Sequence, residues 1–116
     1  MLSRKYIERI QNLNVGDFVT IYDAYGNNIE RMRVVTSTVE KIGRSYIWVD
    51  RTKFNKDNGC GEFSKSLFPG KKEEFIEWFN NKYAARKVVN ELNTYSDCLE
   101  SEDIKTIEDI INRIKP

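Results

Sequence analysis

The stretch from Val39 to Asp50 limits the fold more than any other part of the sequence. It reads VEKIGRSYIWVD, and apolar and polar residues alternate on both sides of Gly43-Arg44. This alternation is typical of two antiparallel strands that are joined by a tight turn and buried on one face. Glycine adopts the positive φ that a two-residue hairpin turn requires, so we expect Gly43 to lie in that turn. The stretch predicts a β-hairpin that needs further strands to cover its apolar face.

Alternating segments on either side of the hairpin supply these further strands. Residues 17–22 are predicted to form a first strand, and residues 29–42 a long second strand with a bulge. Short strands near residues 52–54 and 61–64 complete a five-stranded sheet. A sheet with one apolar face must close on itself or be covered. The sequence therefore predicts a small five-stranded β-barrel over residues 15–68, whose interior contains Val19, Ile21, Ile47 and Val49.

Helical periodicity marks both ends of the chain. Residues 1–14 carry apolar side chains at spacings of three and four, with Ser3 as a candidate N-cap. Residues 71–92 present a broad apolar face, and Ser101 is a candidate N-cap for a last helix with an isoleucine stripe. Together these patterns predict one α+β domain: an N-terminal helix, the barrel, and two C-terminal helices in an extension over residues 71–116.

Composition argues against the commonest catalytic chemistries. Histidine is absent, so the chain lacks the most frequent general base and the most frequent transition-metal ligand. Cys60 and Cys98 have no metal-binding or redox spacing and are predicted to be free thiols. The segment Asn55–Gly59 resembles a calcium loop, but Phe54 would occupy its first ligand position. We therefore expect no enzymatic activity, no cofactor and no metal site.

Hydropathy predicts a cytoplasmic protein. No apolar run approaches the roughly 20 residues that a membrane-spanning helix needs. The first residues are basic but are not followed by the apolar core of a secretion signal.

The charge of the chain is unevenly distributed although its net value is only +1. Residues 31–56 contain seven basic and two acidic residues, whereas residues 97–110 contain one basic and six acidic residues. Cations hold phosphates and aromatic rings stack on bases, so a basic edge that includes a ring is typical of nucleic-acid binding. The sequence predicts such a site at Arg33, Lys41, Arg44, Tyr46, Arg51 and Lys53.

Three features of the sequence each have two interpretations. Phe18 and Trp48 either lie exposed beside these cations or are covered by the helices, and burial is favoured because large aromatic side chains are mostly buried. The acidic segment 97–109 either imitates a phosphate backbone or forms the solvent face of a helix, which is the favoured interpretation. The isoleucine stripe docks either on the long helix of the same chain or on a second copy, which would give a homodimer through Ile104, Ile107, Ile111 and Ile114.

Two segments resemble a known family of small barrels. Residues 15–21, VGDFVTI, resemble the opening of a KOW-type barrel of the Src-homology-3-like class, and residues 39–50 resemble its central hairpin. The order of segments is similar to "beta barrel domain" proteins of phages and prophages, with Phe54 to Gly59 as their Phe-x-x-x-x-Gly turn. The resemblance implies a Src-homology-3-like barrel with a helical extension, an origin in a mobile element, residence in the host cytoplasm, and no catalytic residues.

Two functional hypotheses follow from these observations. In the first, the chain is a phage-type accessory protein that docks on a nucleic acid or a nucleoprotein complex through the basic edge of the barrel. In the second, it is an anti-CRISPR-like inhibitor of a host defence system and contacts a host protein through the helical tail or the acidic segment.

Overall fold

The computed structural model describes residues 2–115, which contain three α-helices and six β-strands. The helices are α1 (Arg4–Gln11), α2 (Lys72–Thr94) and α3 (Ser101–Ile114), and a 3₁₀ turn spans Ser96–Cys98. The strands are β1 (Phe18–Asp23), β2 (Val34–Thr38), β3 (Lys41–Ile42), β4 (Tyr46–Val49), β5 (Thr52–Asn55) and β6 (Lys65–Phe68).

The strands pair antiparallel in two three-stranded sheets. The first sheet has the order β2-β1-β6 and the second has the order β3-β4-β5. Isolated bridges from Phe54 to Gly61 and from Cys60 to Ser66 join the segment between β5 and β6 to each of these two strands. The predicted α+β class is confirmed. The predicted five-stranded barrel is wrong, because six strands form two open sheets in the described part of the chain.

An exchange of hydrogen-bonding partners explains why the predicted long second strand is divided. The backbone N–H of Val39 donates to the carbonyl of Asp17, 3.0 Å away, just before β1. The next backbone N–H, that of Glu40, donates to the carbonyl of Trp48 in β4 at 2.9 Å. The chain thus passes from the first sheet to the second between two successive residues, and the strand predicted over residues 29–42 becomes β2 and β3.

The predicted hairpin forms, but Gly43 has a different role in it. Its backbone N–H donates to the carbonyl of Tyr46 at 2.8 Å and closes the turn between β3 and β4. Its φ is not positive; the positive angles lie in the next turn, at Asp50 (49°) and Arg51 (61°). Position 43 requires glycine because a side chain has no space there: a Cβ would lie 2.9 Å from the Cζ3 atom of the Trp48 ring.

Two predicted boundaries also differ from the structure. The last strand begins at Lys65 instead of occupying residues 61–64, because Phe63 (φ 56°) and Ser64 (φ 59°) turn the chain. Helix α3 begins one residue earlier than predicted, because Ser101 is its first residue and its N-cap is Glu100, whose backbone N–H donates to Asp103 Oδ2 at 3.0 Å.

The side chains of Val19, Ile21, Ile47 and Val49 are buried, which confirms their predicted interior positions. Five aromatic rings join α1 and the first turns of α2 to the first sheet, with centroid separations of 4.8 to 6.3 Å between neighbouring rings. These rings belong to Tyr6, Tyr22, Phe68, Phe75 and Trp78. We call them the aromatic cluster.

The chain divides between Trp78 and Phe79 into two compact units. The first unit contains α1, all six strands and the start of α2, and the core described above belongs to it. The second unit contains the rest of α2, the 3₁₀ turn and α3. Phe79 is its only buried side chain among the residues that the structure describes.

The contact between Gly43 and Trp48 makes a quantitative prediction. Gly43→Ala should lower the free energy of unfolding by about 1–3 kcal/mol, because the new methyl group overlaps the Trp48 ring. In a Trp48→Leu background the same substitution should cost clearly less, since the overlapping ring is gone. Urea unfolding of the four proteins in this double-mutant cycle, followed by circular dichroism, measures the coupling. An equal cost in both backgrounds would contradict the steric explanation.

Candidate functional site

Three of the six predicted site residues share one face of the second sheet. Lys41 and Lys53 pair with Trp48 from the strands on either side, and Tyr46 lies two residues before Trp48 on the same face. The Nζ of Lys41 lies 5.0 Å from the Trp48 ring centroid, and the Nζ of Lys53 lies 4.1 Å from that of Tyr46. Each of the two ammonium groups therefore lies over an aromatic ring of the same sheet.

The three arginines of the predicted site lie apart from this face and from one another. Arg44 is in the turn before β4 and Arg51 is in the turn after it, so the two are at opposite ends of that strand. Arg33 immediately precedes β2 in the first sheet. The structure thus brings together Lys41, Tyr46 and Lys53 but does not form the continuous basic edge that the sequence suggested.

Of the two aromatic side chains for which burial was favoured, Phe18 departs from the expectation and Trp48 meets it in part. Phe18 is 52% exposed, and the Nζ of Lys71 lies 4.7 Å from its ring centroid. Trp48 is half-buried. Cys60 and Cys98 are both free and exposed, as predicted.

A concave site lies elsewhere, at the end of the first sheet. It is a cleft of about 540 Å³ between the end of β1, the starts of β2 and β6, and the turn between β4 and β5. This volume falls within the range of about 300–1,000 Å³ typical of ligand pockets. The cleft, which we call the Phe63 cleft, is lined by Ile21, Tyr22, Asp23, Tyr25, Arg33, Val35, Asp50, Phe63, Ser64 and Lys65.

Phe63 is the most unusual residue of this cleft. Its φ of 56° places a bulky side chain in the left-handed region, which costs roughly 1–2 kcal/mol for a residue other than glycine. Its ring is also 87% exposed, so burial of the ring does not offset this cost. The following residue, Ser64, has a similar φ of 59°, and its carbonyl accepts a hydrogen bond from the N–H of Ala24 at 2.8 Å. That bond to the end of β1 helps to hold the turn in its strained form.

A second strained turn closes the opposite wall of the cleft. Asp50 Oδ1 accepts a hydrogen bond from Ser37 Oγ at 2.7 Å, and the backbone N–H of Arg51 donates to Glu40 Oε1 at 2.9 Å. These two bonds tie the turn to β2 and to the segment between the two sheets. The positive φ angles of Asp50 and Arg51 are thus fixed by side chains from a neighbouring part of the fold.

The cleft is electrically balanced. Two carboxylates, Asp23 and Asp50, and two cations, Arg33 and Lys65, line it. Tyr22 forms part of its floor, and burial raises the pKa of the Tyr22 phenol above the ordinary value of 10.0, although a hydrogen bond with Ser66 acts in the opposite direction. The Tyr22 hydroxyl is therefore a neutral group at physiological pH.

The cleft residues Tyr25 and Phe63 were not identified from the sequence. Tyr25 is 84% exposed and lies beside the turn that the sequence predicts at Gly26-Asn27-Asn28. An aromatic residue next to such a turn could have indicated an exposed ring. Phe63 gave no such signal, because its left-handed conformation depends on the bond between Ala24 and Ser64. In the described part of the chain, no cluster of three or more cysteine, aspartate and glutamate side chains could hold a metal ion.

Comparison with known proteins finds one family match. Residues 2–58, just under half of the chain, match a family described as spore coat protein (Spore_GerQ). The matched range contains α1 and β1 to β5. No curated protein and no solved structure matches the chain. None of the helices that the structure describes is long and apolar enough to cross a membrane.

This match corrects the functional predictions made from the sequence. The resemblance to phage and prophage barrel proteins is wrong, because the matched family is a spore coat family. The hypotheses of a phage-type nucleic-acid-binding protein and of an anti-CRISPR-like inhibitor are wrong for the same reason. The predicted partners are wrong on the same ground: a nucleic acid, a host nucleoprotein complex and a host defence protein. The homodimer through the isoleucine stripe stays a prediction.

The conformation of Phe63 predicts that this residue reduces the stability of the chain. Phe63→Gly should raise the free energy of unfolding by up to about 1 kcal/mol, because glycine adopts a positive φ without steric cost. Phe18→Gly is the matched control: it also removes an exposed ring, but from a regular strand, where glycine costs roughly 0.5–1 kcal/mol. Urea unfolding of both variants compares them. A loss of stability in Phe63→Gly as large as that in the control would contradict the strain argument.

The raised pKa of Tyr22 predicts a specific dependence of stability on pH. As the pH rises, Tyr22 ionises in the unfolded chain before it ionises in the folded protein. The contribution of Tyr22 to the free energy of unfolding is therefore complete below pH 10.0 and is lost as the pH rises through the folded-state pKa. Tyr22→Phe should therefore reduce the decline in stability between about pH 8 and about pH 11. The same substitution should also lower the free energy of unfolding by about 1 kcal/mol at both pH values, because the hydrogen bond between Tyr22 and Ser66 is lost. Urea unfolding at both pH values separates the two effects, and an unchanged decline would contradict the assignment.

Proposed function

We propose that this chain is a structural protein of the spore coat, where it assembles with other coat proteins and acts without catalysis. The observation that carries this proposal is the match of residues 2–58 to a spore coat protein family. The matched range supplies two walls of the Phe63 cleft, the end of β1 and the start of β2, together with Asp50 from the turn after β4. This overlap supports the cleft as the part of the protein that the coat function uses.

The side chains of the Phe63 cleft suit a contact with another protein. Tyrosine, phenylalanine and arginine are enriched in protein interfaces, and the cleft presents Tyr25, Phe63 and Arg33 beside the apolar side chains of Ile21 and Val35. Tyr25 and Phe63 are almost fully exposed, so a partner that covers them gains their full apolar surface. We infer that these two rings are the main anchors of the contact.

The charges of the cleft favour the same kind of partner. Its two carboxylates and two cations cancel, so the cleft does not attract a polyanion, whereas each charge can meet an opposite charge on a protein surface. The strained turns that carry Asp50 and Phe63 are held by hydrogen bonds from other elements, which keeps both walls in place before binding. Such preorganisation lowers the entropic cost of association.

Localisation during sporulation tests the proposed function. The full chain, fused to a fluorescent protein and expressed in a sporulating bacterium, should form a ring around the developing spore and remain in the coat fraction of purified spores. A fluorescent protein without the chain is the control. Diffuse fluorescence in the mother cell, with none of the fusion in the coat fraction, would contradict the proposal.

A pair of variants tests the role of the cleft separately. The double variant Tyr25→Ser, Phe63→Ser should reduce incorporation into the coat at least about fivefold, because loss of two anchoring rings typically costs more than 1 kcal/mol each. Phe18→Ser removes an exposed ring at the other end of β1 and should leave incorporation unchanged. Immunoblots of coat extracts, normalised to expression, measure both. Equal incorporation of the two variants would reject the cleft while leaving coat localisation intact.

A further inference from the structure

The second unit contains an apolar groove between its two helices. The groove has a volume of about 380 Å³ and lies between the last turns of α2 and the first half of α3, next to the 3₁₀ turn. Its apolar lining consists of Val89, Leu92, Leu99, Ile104 and Ile107. The groove is outside the range that matches the coat family, so an inference about it goes beyond the proposed function.

The helices that form this groove leave much of their apolar surface in water. Val89 is 60% exposed and Ile104 is 46% exposed, and no residue of α3 is buried. Exposed apolar side chains that line one continuous concave surface are characteristic of an interaction site. A groove between two helices with anchors one turn apart is the shape that accepts an amphipathic helix.

Charge identifies the kind of helix that fits. Glu108 is the only charged side chain that lines the groove. A partner with lysine or arginine beside its apolar stripe would meet this carboxylate with an opposite charge. The α3 helix of a second copy has four acidic residues and two basic ones, so its net charge is negative and would oppose its binding beside Glu108.

We propose that the groove between α2 and α3 binds an amphipathic helix of a partner protein, with the apolar stripe of that helix on Val89, Ile104 and Ile107 and a basic residue beside Glu108. The helix lies along the groove, where its apolar side chains fill the space next to Leu92 and Leu99. Glu108 favours a partner helix with a positive charge at the edge of a contact that is otherwise apolar.

Two synthetic helical peptides with the same leucine stripe test this proposal. One carries lysine on both borders of the stripe and the other carries glutamate. Fluorescence anisotropy with the full chain should show that the lysine peptide binds at least about tenfold more tightly than the glutamate peptide. Val89→Asp should abolish binding of the lysine peptide, and circular dichroism checks that this variant keeps its helices.

A charge reversal provides the matched control. Glu108→Lys should weaken binding of the lysine peptide about three- to tenfold, because one exposed attractive charge pair becomes repulsive. It should strengthen binding of the glutamate peptide, because the repulsion between Glu108 and the peptide becomes attraction. Asp109→Lys changes the net charge by the same amount, but Asp109 does not line the groove, so both affinities should stay within about twofold of the original.

Three results would overturn the proposal. The first is equal affinity for the two peptides. The second is an equal effect of Glu108→Lys and Asp109→Lys, which would show a response to net charge alone. The third is a dimer of the unmodified chain, detected by light scattering at the concentrations used, that Val89→Asp dissociates, because the occupant of the groove would then be a second copy.

Discussion

The packing of the aromatic cluster is the interaction on which the first unit depends. Tyr22 in β1 and Phe68 in β6 present their rings from the first sheet, and Tyr6, Phe75 and Trp78 cover them from α1 and α2. Each such ring pair contributes about 0.5–1.5 kcal/mol beyond the burial of its area. The helices need this surface, because each has an apolar face that it must bury. The cluster therefore fixes where α1 and the start of α2 lie. The end of β1 and the start of β6 form walls of the Phe63 cleft.

The cation–aromatic pairs of the second sheet show why residue types alone did not point to the Phe63 cleft as a candidate site. Basic and aromatic side chains are interspersed over β3 to β5, and the structure brings four of them, Lys41, Tyr46, Trp48 and Lys53, onto one face. Their mutual contacts, with Lys41 over Trp48 and Lys53 over Tyr46, use the ring faces within the chain. In the Phe63 cleft the rings of Tyr25 and Phe63 are instead open to solvent. A functional assignment thus depends on which aromatic faces remain available once the fold has formed.

Local patterns predicted the parts of the fold that depend on local physics. The alternation around Val19 and Ile47 identified buried strand positions, and the spacing of apolar residues placed all three helices to within a few residues. The division of the long strand at residues 39 and 40 was not predictable in this way, because it depends on carbonyls 22 residues before and 8 residues after the break in sequence. The left-handed Phe63 likewise depends on a bond to the end of β1. The candidate cleft was missed because two of its walls are turns whose shape is set from outside the turn.

The position of β1 at the centre of the first sheet has a consequence for synthesis on the ribosome. Its first partner, β2, follows after ten residues, but Thr20 pairs on its other side with Phe68, which emerges 48 residues later. Until then, one edge of β1 has no neighbouring strand, and an open edge of β-branched residues such as Val19 and Ile21 can pair with other chains. Contacts between residues so distant in sequence also form slowly. The nascent chain therefore passes through a stage at which aggregation competes with closure of the sheet, and the length of that stage is set by the rate of translation from β2 to β6.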